Sequence, residues 1–191
     1  FAQRTGWQRI YPDLPGHGRT AAPEGISTVD ELFDVVLDFV DHVIPGQHLA
    51  VGGFSLGAYL AQRLSHHRPS EVEGCLLIGP PPLHTTTEWV IPERLVAVRD
   101  ETLLTDLGEG IEADRLRDLY EYLLVVQNRT HLERARHLIL PALAIPDDGW
   151  EERASWAFTW KVEELAQPFD KPVLMLLGRQ DSNVGYHGQM Q

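Results

Sequence analysis

Between His48 and His67 the chain reads HLAVGGFSLGAYLAQRLSHH, and a single serine stands where its rhythm changes. HLAVGGF is short, apolar and bounded by glycine, which suits a buried strand. From Leu56 onward the apolar residues fall three and four apart, which suits a helix. The joint is Gly53-Phe54-Ser55-Leu56-Gly57, the pattern G-x-S-x-G. A strand that passes straight into a helix bends sharply at one residue, and small neighbours let the two segments pass closely. The serine hydroxyl is then held out at the carboxyl end of the strand. The first helical amides, Leu56 N–H above all, point to the same place and can hold a developing oxyanion. Ser55 is therefore a candidate nucleophile, with a helix-capping serine as the plainer alternative.

Serine alone is a poor nucleophile and needs a base, together with a group that orients the base. Asp181, in VLMLLGRQD, directly follows an apolar segment that reads as a buried strand. Its carboxylate is expected at the same sheet edge as Ser55, and it follows the serine in the chain, the order nucleophile then acid.

The remaining segments supply the scaffold. WQRIYPDL (7–14) reads as a strand and PGHGRT (15–20) as a tight loop. STVDELFDVVLDFVDHVIPG is the clearest helix, because Thr28 and Glu31 form a capping-box pair and Pro45-Gly46 ends it. Leu32, Val36, Phe39, Val40 and Val43 make its core-facing stripe, and Asp30, Asp34, Asp38 and Asp41 a solvated one. EGCLLIG (73–79) is a third strand, stopped by Pro80, Pro81 and Pro82. Alternating strands and helices predict a mostly parallel sheet with crossover helices, an α/β fold. From 83 to 168 the chain reads as helices only (92–107, 111–127, 131–145 and 151–166), before KPVLMLLGRQD returns to a strand. This predicts an α/β core of 1–82 and 169–191 with a helical cap inserted at 83–168.

Of the 191 residues 43% are hydrophobic and 23% charged, as in ordinary globular proteins, and the net charge is -12. Such acidity excludes a nucleic-acid partner, because the basic clusters that phosphates require are missing. No apolar run reaches the about 20 residues of a membrane span. The one cysteine, Cys75, lies in an apolar strand and reads as a packing residue. It mildly favours a reducing compartment, hence a cytoplasmic location. His131 and His137 lack metal-pair spacing, and no cofactor is indicated.

Taken in order, YPDLPGHGRT, GGFSLGAYLAQRL, the prolines after CLLIG and PVLMLLGRQD resemble the α/β-hydrolase superfamily, in the branch with a serine nucleophile. The resemblance covers the sheet segments, about half the chain. It implies Ser55 as nucleophile, Asp181 as triad acid and Leu56 N–H as one oxyanion donor, with Asp13, Gly16 and Gly18 shaping the 15–20 loop. It further implies a histidine on a loop beyond one more strand, and a second oxyanion donor on a loop ahead of residue 1. His187 is the only histidine after Asp181 and reads as a surface residue; His17 precedes the serine. The expectation is therefore an internal fragment of an enzyme of about 260 residues, without its catalytic histidine and inactive by itself.

The cap holds Trp89, Trp156, Tyr120 and further aromatics, and with Phe54 these are the candidate substrate-lining residues. They suggest a small apolar acyl compound as partner. Over 83–170 acidic residues outnumber basic ones 18 to 9, which mildly disfavours an anionic substrate. Expected chemistry is hydrolysis of a carboxylic ester or related acyl bond. Acyl transfer and carbon–carbon bond hydrolysis use the same triad, and a non-catalytic ligand-binding protein on the same scaffold is the alternative from another class.

Overall fold

The computed structural model describes residues 3, 5–83, 89–143 and 168–190. Its centre is a parallel three-stranded sheet in the order β1 (Leu49–Phe54), β2 (Val72–Ile78), β5 (Val173–Leu176). Phe54 pairs with Ile78, and Ile78 with Leu176, so the three carboxyl ends lie level. The segment 7–14, expected as a strand, forms no ladder among the described residues, and its Trp7 and Tyr11 are exposed.

Helix α1 (Val29–Val43) precedes β1, and α2 (Leu56–His67) connects β1 to β2. The capping box is as expected. Thr28 Oγ1 accepts from Glu31 N–H at 3.2 Å, and Glu31 accepts from the Ser27 and Thr28 amides at 2.8 and 2.9 Å. These bonds, that from Ser27 N–H first, hold the Glu31 carboxyl below its usual range. Its contribution to stability is thus present above the unfolded-state value and lost as pH falls through the folded one. Thr28→Ala is expected to cost about 1 kcal/mol, read by urea unfolding at pH 7.

Leu32 and Val40 of the expected stripe are buried, and Phe33, outside that stripe, is buried as well. The reason is Arg63 of α2, whose guanidinium lies 4.3 Å from the Phe33 ring centre. The acidic stripe is not simply solvated. Asp30 pairs with Arg63 and Asp41 with Arg68 (2.9 Å), so its two ends tie α1 to α2. One core joins α1 and α2 to the start of β1 and β2. Another packs Ala58 and Ala61 of α2 on Cys75 and Leu77 of β2. Cys75 is buried as expected; its Sγ lies 3.7 Å from the Ala61 carbonyl, and burial raises its thiol pKa.

Between β2 and β5 the described residues form a mostly helical unit: α3 (Thr102–Thr105), α4 (Ile111–Asp118), α5 (Arg129–Leu138) and α6 (Leu140–Leu143). The helix expected over 92–107 is reduced to α3. Val98–Arg99 instead forms a short strand β3 parallel to β4 (Val126–Gln127), as β-branched valines on both segments favour. The helix expected over 111–127 is α-helical to Asp118, continues as a π-helical turn at Leu119–Leu123, and ends in β4. Tyr120 explains the break. Its hydroxyl donates to the Asp100 carbonyl at 2.5 Å and lies 3.0 Å from the Gln127 carbonyl, so the widened turn is tied to the segments on either side of it. This unit has its own core of Leu103, Leu116, Leu119, Tyr120, Leu132, Ala135 and Leu140. The expected helix at 151–166, and Trp156 with it, lies outside the described residues. No helix among the described residues is long and apolar enough to cross a membrane.

Candidate active site

Ser55 has φ 51° and ψ -119°, and it is the one non-glycine at positive φ among the described residues. Such a conformation costs on the order of 1–3 kcal/mol and persists only where its surroundings enforce it. They do so from both sides. Ser55 N–H still belongs to the sheet, donating to the Ile78 carbonyl at 2.9 Å, while its own carbonyl already accepts from Ala58 and Tyr59 of α2. The residue is thus the last of the strand and the cap of the helix at once. Its hydroxyl makes no hydrogen bond among the described residues, nor does Leu56 N–H.

The two glycines of the motif have different work. A Cβ on Gly53 would fall on the Gly57 carbonyl group and 2.5 Å from the Ala58 nitrogen. A Cβ on Gly57 would meet nothing within 4 Å. The helix folds back over Gly53 alone.

Asp181 follows β5 across a short turn, its N–H donating to the Gly178 carbonyl. Oδ1 accepts from Asn183 N–H at 2.9 Å and Val184 N–H at 3.0 Å. Oδ2 accepts nothing among the described residues. Gly79, immediately after β2, lies beside both Asp181 and the residue before Ser55: a Cβ there would stand 3.6 Å from Asp181 Oδ2 and 3.8 Å from the Phe54 ring. Ser55 and Gly79 therefore directly follow β1 and β2, and Asp181 lies in the turn after β5, with Oδ1 bound in that turn and Oδ2 free of hydrogen bonds among the described residues.

Phe54 lies at this edge, 71% exposed. Tyr120 corrects the expectation: it is fully buried at the centre of the helical unit with its hydroxyl bonded to backbone, and offers no surface to a substrate. Trp89 is half-buried. An open cavity of about 400 Å³ in the helical unit, between Ile111, Arg115, Arg136 and Leu140, is lined by neither Ser55 nor Asp181.

No histidine among the described residues hydrogen-bonds to Ser55 or Asp181. His187 is exposed, its ring 4.1 Å from that of Tyr186. His17 is exposed on the 15–20 loop with Nδ1 3.0 Å from the Pro15 carbonyl oxygen. His66, whose pKa burial lowers, sits at the far end of α2, about 16 Å of helix from Ser55. The loop itself is shaped by Asp13, which accepts from Arg19 N–H at 3.0 Å, and by Gly18, where a Cβ would stand 2.5 Å from Asp13 Oδ2.

A parallel sheet with crossover helices and a strained serine between strand and helix define the α/β-hydrolase fold. The chain belongs to the alpha/beta hydrolase family, which it matches over residues 2–190. The crystal structure of an alpha/beta superfamily hydrolase from Oenococcus oeni PSU-1 is similar at a TM-score of 0.80 and 23% identity, covering 96% of this chain and 67% of that one. A thermophilic esterase from Thermogutta terrifontis is similar at a TM-score of 0.56 and 18% identity, covering 94% of this chain and 64% of that one. For a meta-cleavage product hydrolase from Pseudomonas fluorescens IP01 the values are 0.55 and 15%, with the same coverage. The chain thus spans about two thirds of the length of each. No curated protein matches it.

Proposed function

We propose that this protein is a serine hydrolase that cleaves a carboxylic ester or related acyl bond of a small apolar substrate through an acyl-enzyme. The observation that carries the reading is the enforced positive-φ conformation of Ser55, with neither its hydroxyl nor the following amide hydrogen-bonded among the described residues. Backbone strain of this kind clusters at functional sites. Ser55 Oγ attacks the acyl carbonyl while a histidine takes its proton. Leu56 N–H holds the oxyanion. Collapse of the tetrahedral intermediate expels the alcohol, which receives that proton, and water then releases the acid by the same steps in reverse. Asp181 orients the histidine through Oδ2, the oxygen its own turn leaves open. Phe54 and Trp89 contribute apolar lining, and the helical unit acts as the cap.

The test is labelling with a fluorophosphonate probe, applied to the protein expressed from its complete reading frame. An activated serine reacts and a structural one does not. Stoichiometric label on Ser55, located by peptide mass mapping, is the expected result. An unlabelled Ser55 in folded protein would leave the ligand-binding alternative standing.

A further inference from the structure

We propose that Gln189 is a positioning residue, clamping the Asp181 turn to the end of the central strand; the proposal rests on the reading of Asp181 as triad acid. Its Nε2 lies 2.8 Å from the carbonyl oxygen of Pro80, 3.2 Å from that of Gly185 and 3.4 Å from that of Val184. Three carbonyls around one atom fix the amide's orientation, because an oxygen there would face three like dipoles. The opposite atom, Oε1, is buried with no hydrogen-bond partner among the described residues. Burying an unpaired oxygen is unfavourable, so the contacts of Nε2 must outweigh it for the side chain to stay.

These bonds join parts of the chain that are 109 residues apart in sequence. Val184 donates its N–H to Asp181 Oδ1 and accepts from Gln189 with its carbonyl. Gln189 in turn reaches Pro80, the residue after Gly79, whose N–H donates to Leu176 at the end of β5. A short relay of hydrogen bonds therefore runs from the carboxylate to the edge that carries Ser55. Gly185 closes the other side. It is buried at φ 70°, and a Cβ there would fall into the Val90 carbonyl group, at the entrance to the helical unit. The acid turn is held between the core strand below and the cap entrance above, and Gln189 is the side chain that joins it to the strand.

The test uses Gln189→Met, which keeps the volume and removes the amide, and Gln189→Ala, which removes the bulk as well, both in the protein from its complete reading frame. Amide exchange by NMR is expected to quicken about tenfold or more at Asn183 and Val184, with α2 and β2 unchanged. The kcat for p-nitrophenyl acetate should fall about ten- to a hundredfold, as a misplacement of about 1 Å does, while KM holds. The acidic limb of the kcat/KM profile should move to lower pH, because an imidazolium that loses its carboxylate neighbour gives up its proton more readily. Wild-type exchange and kcat in both variants, beside an Asp181→Asn enzyme slowed about 10⁴-fold, would overturn the clamp alone. Wild-type kcat in Asp181→Asn would overturn the acid and the clamp together. Loss of protection spreading into α2 and β2 would also overturn it, since a clamp acts only on its own turn.

Discussion

Ser55→Gly is expected to yield a protein without turnover that is more stable than its parent. Removing the nucleophile of a serine triad lowers kcat by about 10⁶-fold, so ester hydrolysis should fall to the level of the remaining binding and oxyanion contacts. Stability should move the other way. At φ 51° a side chain is strained by on the order of 1–3 kcal/mol, and glycine relieves this. Against it stands the extra freedom glycine gains in the unfolded chain, about 0.5–1 kcal/mol. Relief of strain outweighs that freedom, and a gain of about 1 kcal/mol is expected from denaturant unfolding. Ser55→Ala should lose the same activity without the gain, because its Cβ keeps the strain. A glycine variant less stable than the alanine variant would show that the turn costs nothing and remove the main support for a functional serine.

The second large effect is Gly53→Ala. The atoms a methyl group would meet at Gly53 are the Gly57 carbonyl and the Ala58 nitrogen, all backbone. No rotamer change can yield, so the first turn of α2 must lift away from β1. A loss of about 4 kcal/mol or more is expected, the range reserved for overpacked or strained sites. Against a total of about 5–15 kcal/mol for a typical domain, the variant should melt far earlier or fail to fold, as circular dichroism would show. Gly57→Ala is the control. It meets nothing and sits in a helix, where alanine is favoured over glycine by about 1 kcal/mol. If both substitutions behaved alike, the close crossing at Gly53 would not be what shapes the turn.

The same pair shows how far the sequence can be read. G-x-S-x-G treats its glycines as equals, yet the change of period around Ser55 is enough to place the turn, the parallel strands and the crossover helix. Thr28 and Glu31 are legible for the same reason: a capping box is local, and its partners lie within one helical turn. What resists reading depends on partners distant in the chain. Phe33 is buried because Arg63 covers it, and Asp30 and Asp41 are held by arginines of the next helix. Val96 and Val98 read as part of a helix, because a two-residue strand gives no period of its own and takes shape only from Val125–Gln127. Tyr120 reads as cleft lining because aromatics line clefts, yet its hydroxyl has backbone partners that no spacing reveals. Asp181, the proposed acid, is legible from the strand before it, whereas Gln189, bonded across the fold to Pro80, carries no local signal at all.

Among the described residues the helical unit and the sheet have cores that share no residue: Leu116, Tyr120 and Leu132 close one, while Leu32, Tyr59 and Val72 close the other. Substitutions in two such cores should add in their effect on stability, within about 0.3–0.5 kcal/mol. For natural variation this means a division of labour. On the function proposed above, drift in the helical unit would reshape what enters the cleft while the turn at Ser55 keeps its geometry, so that one frame would serve a succession of substrates.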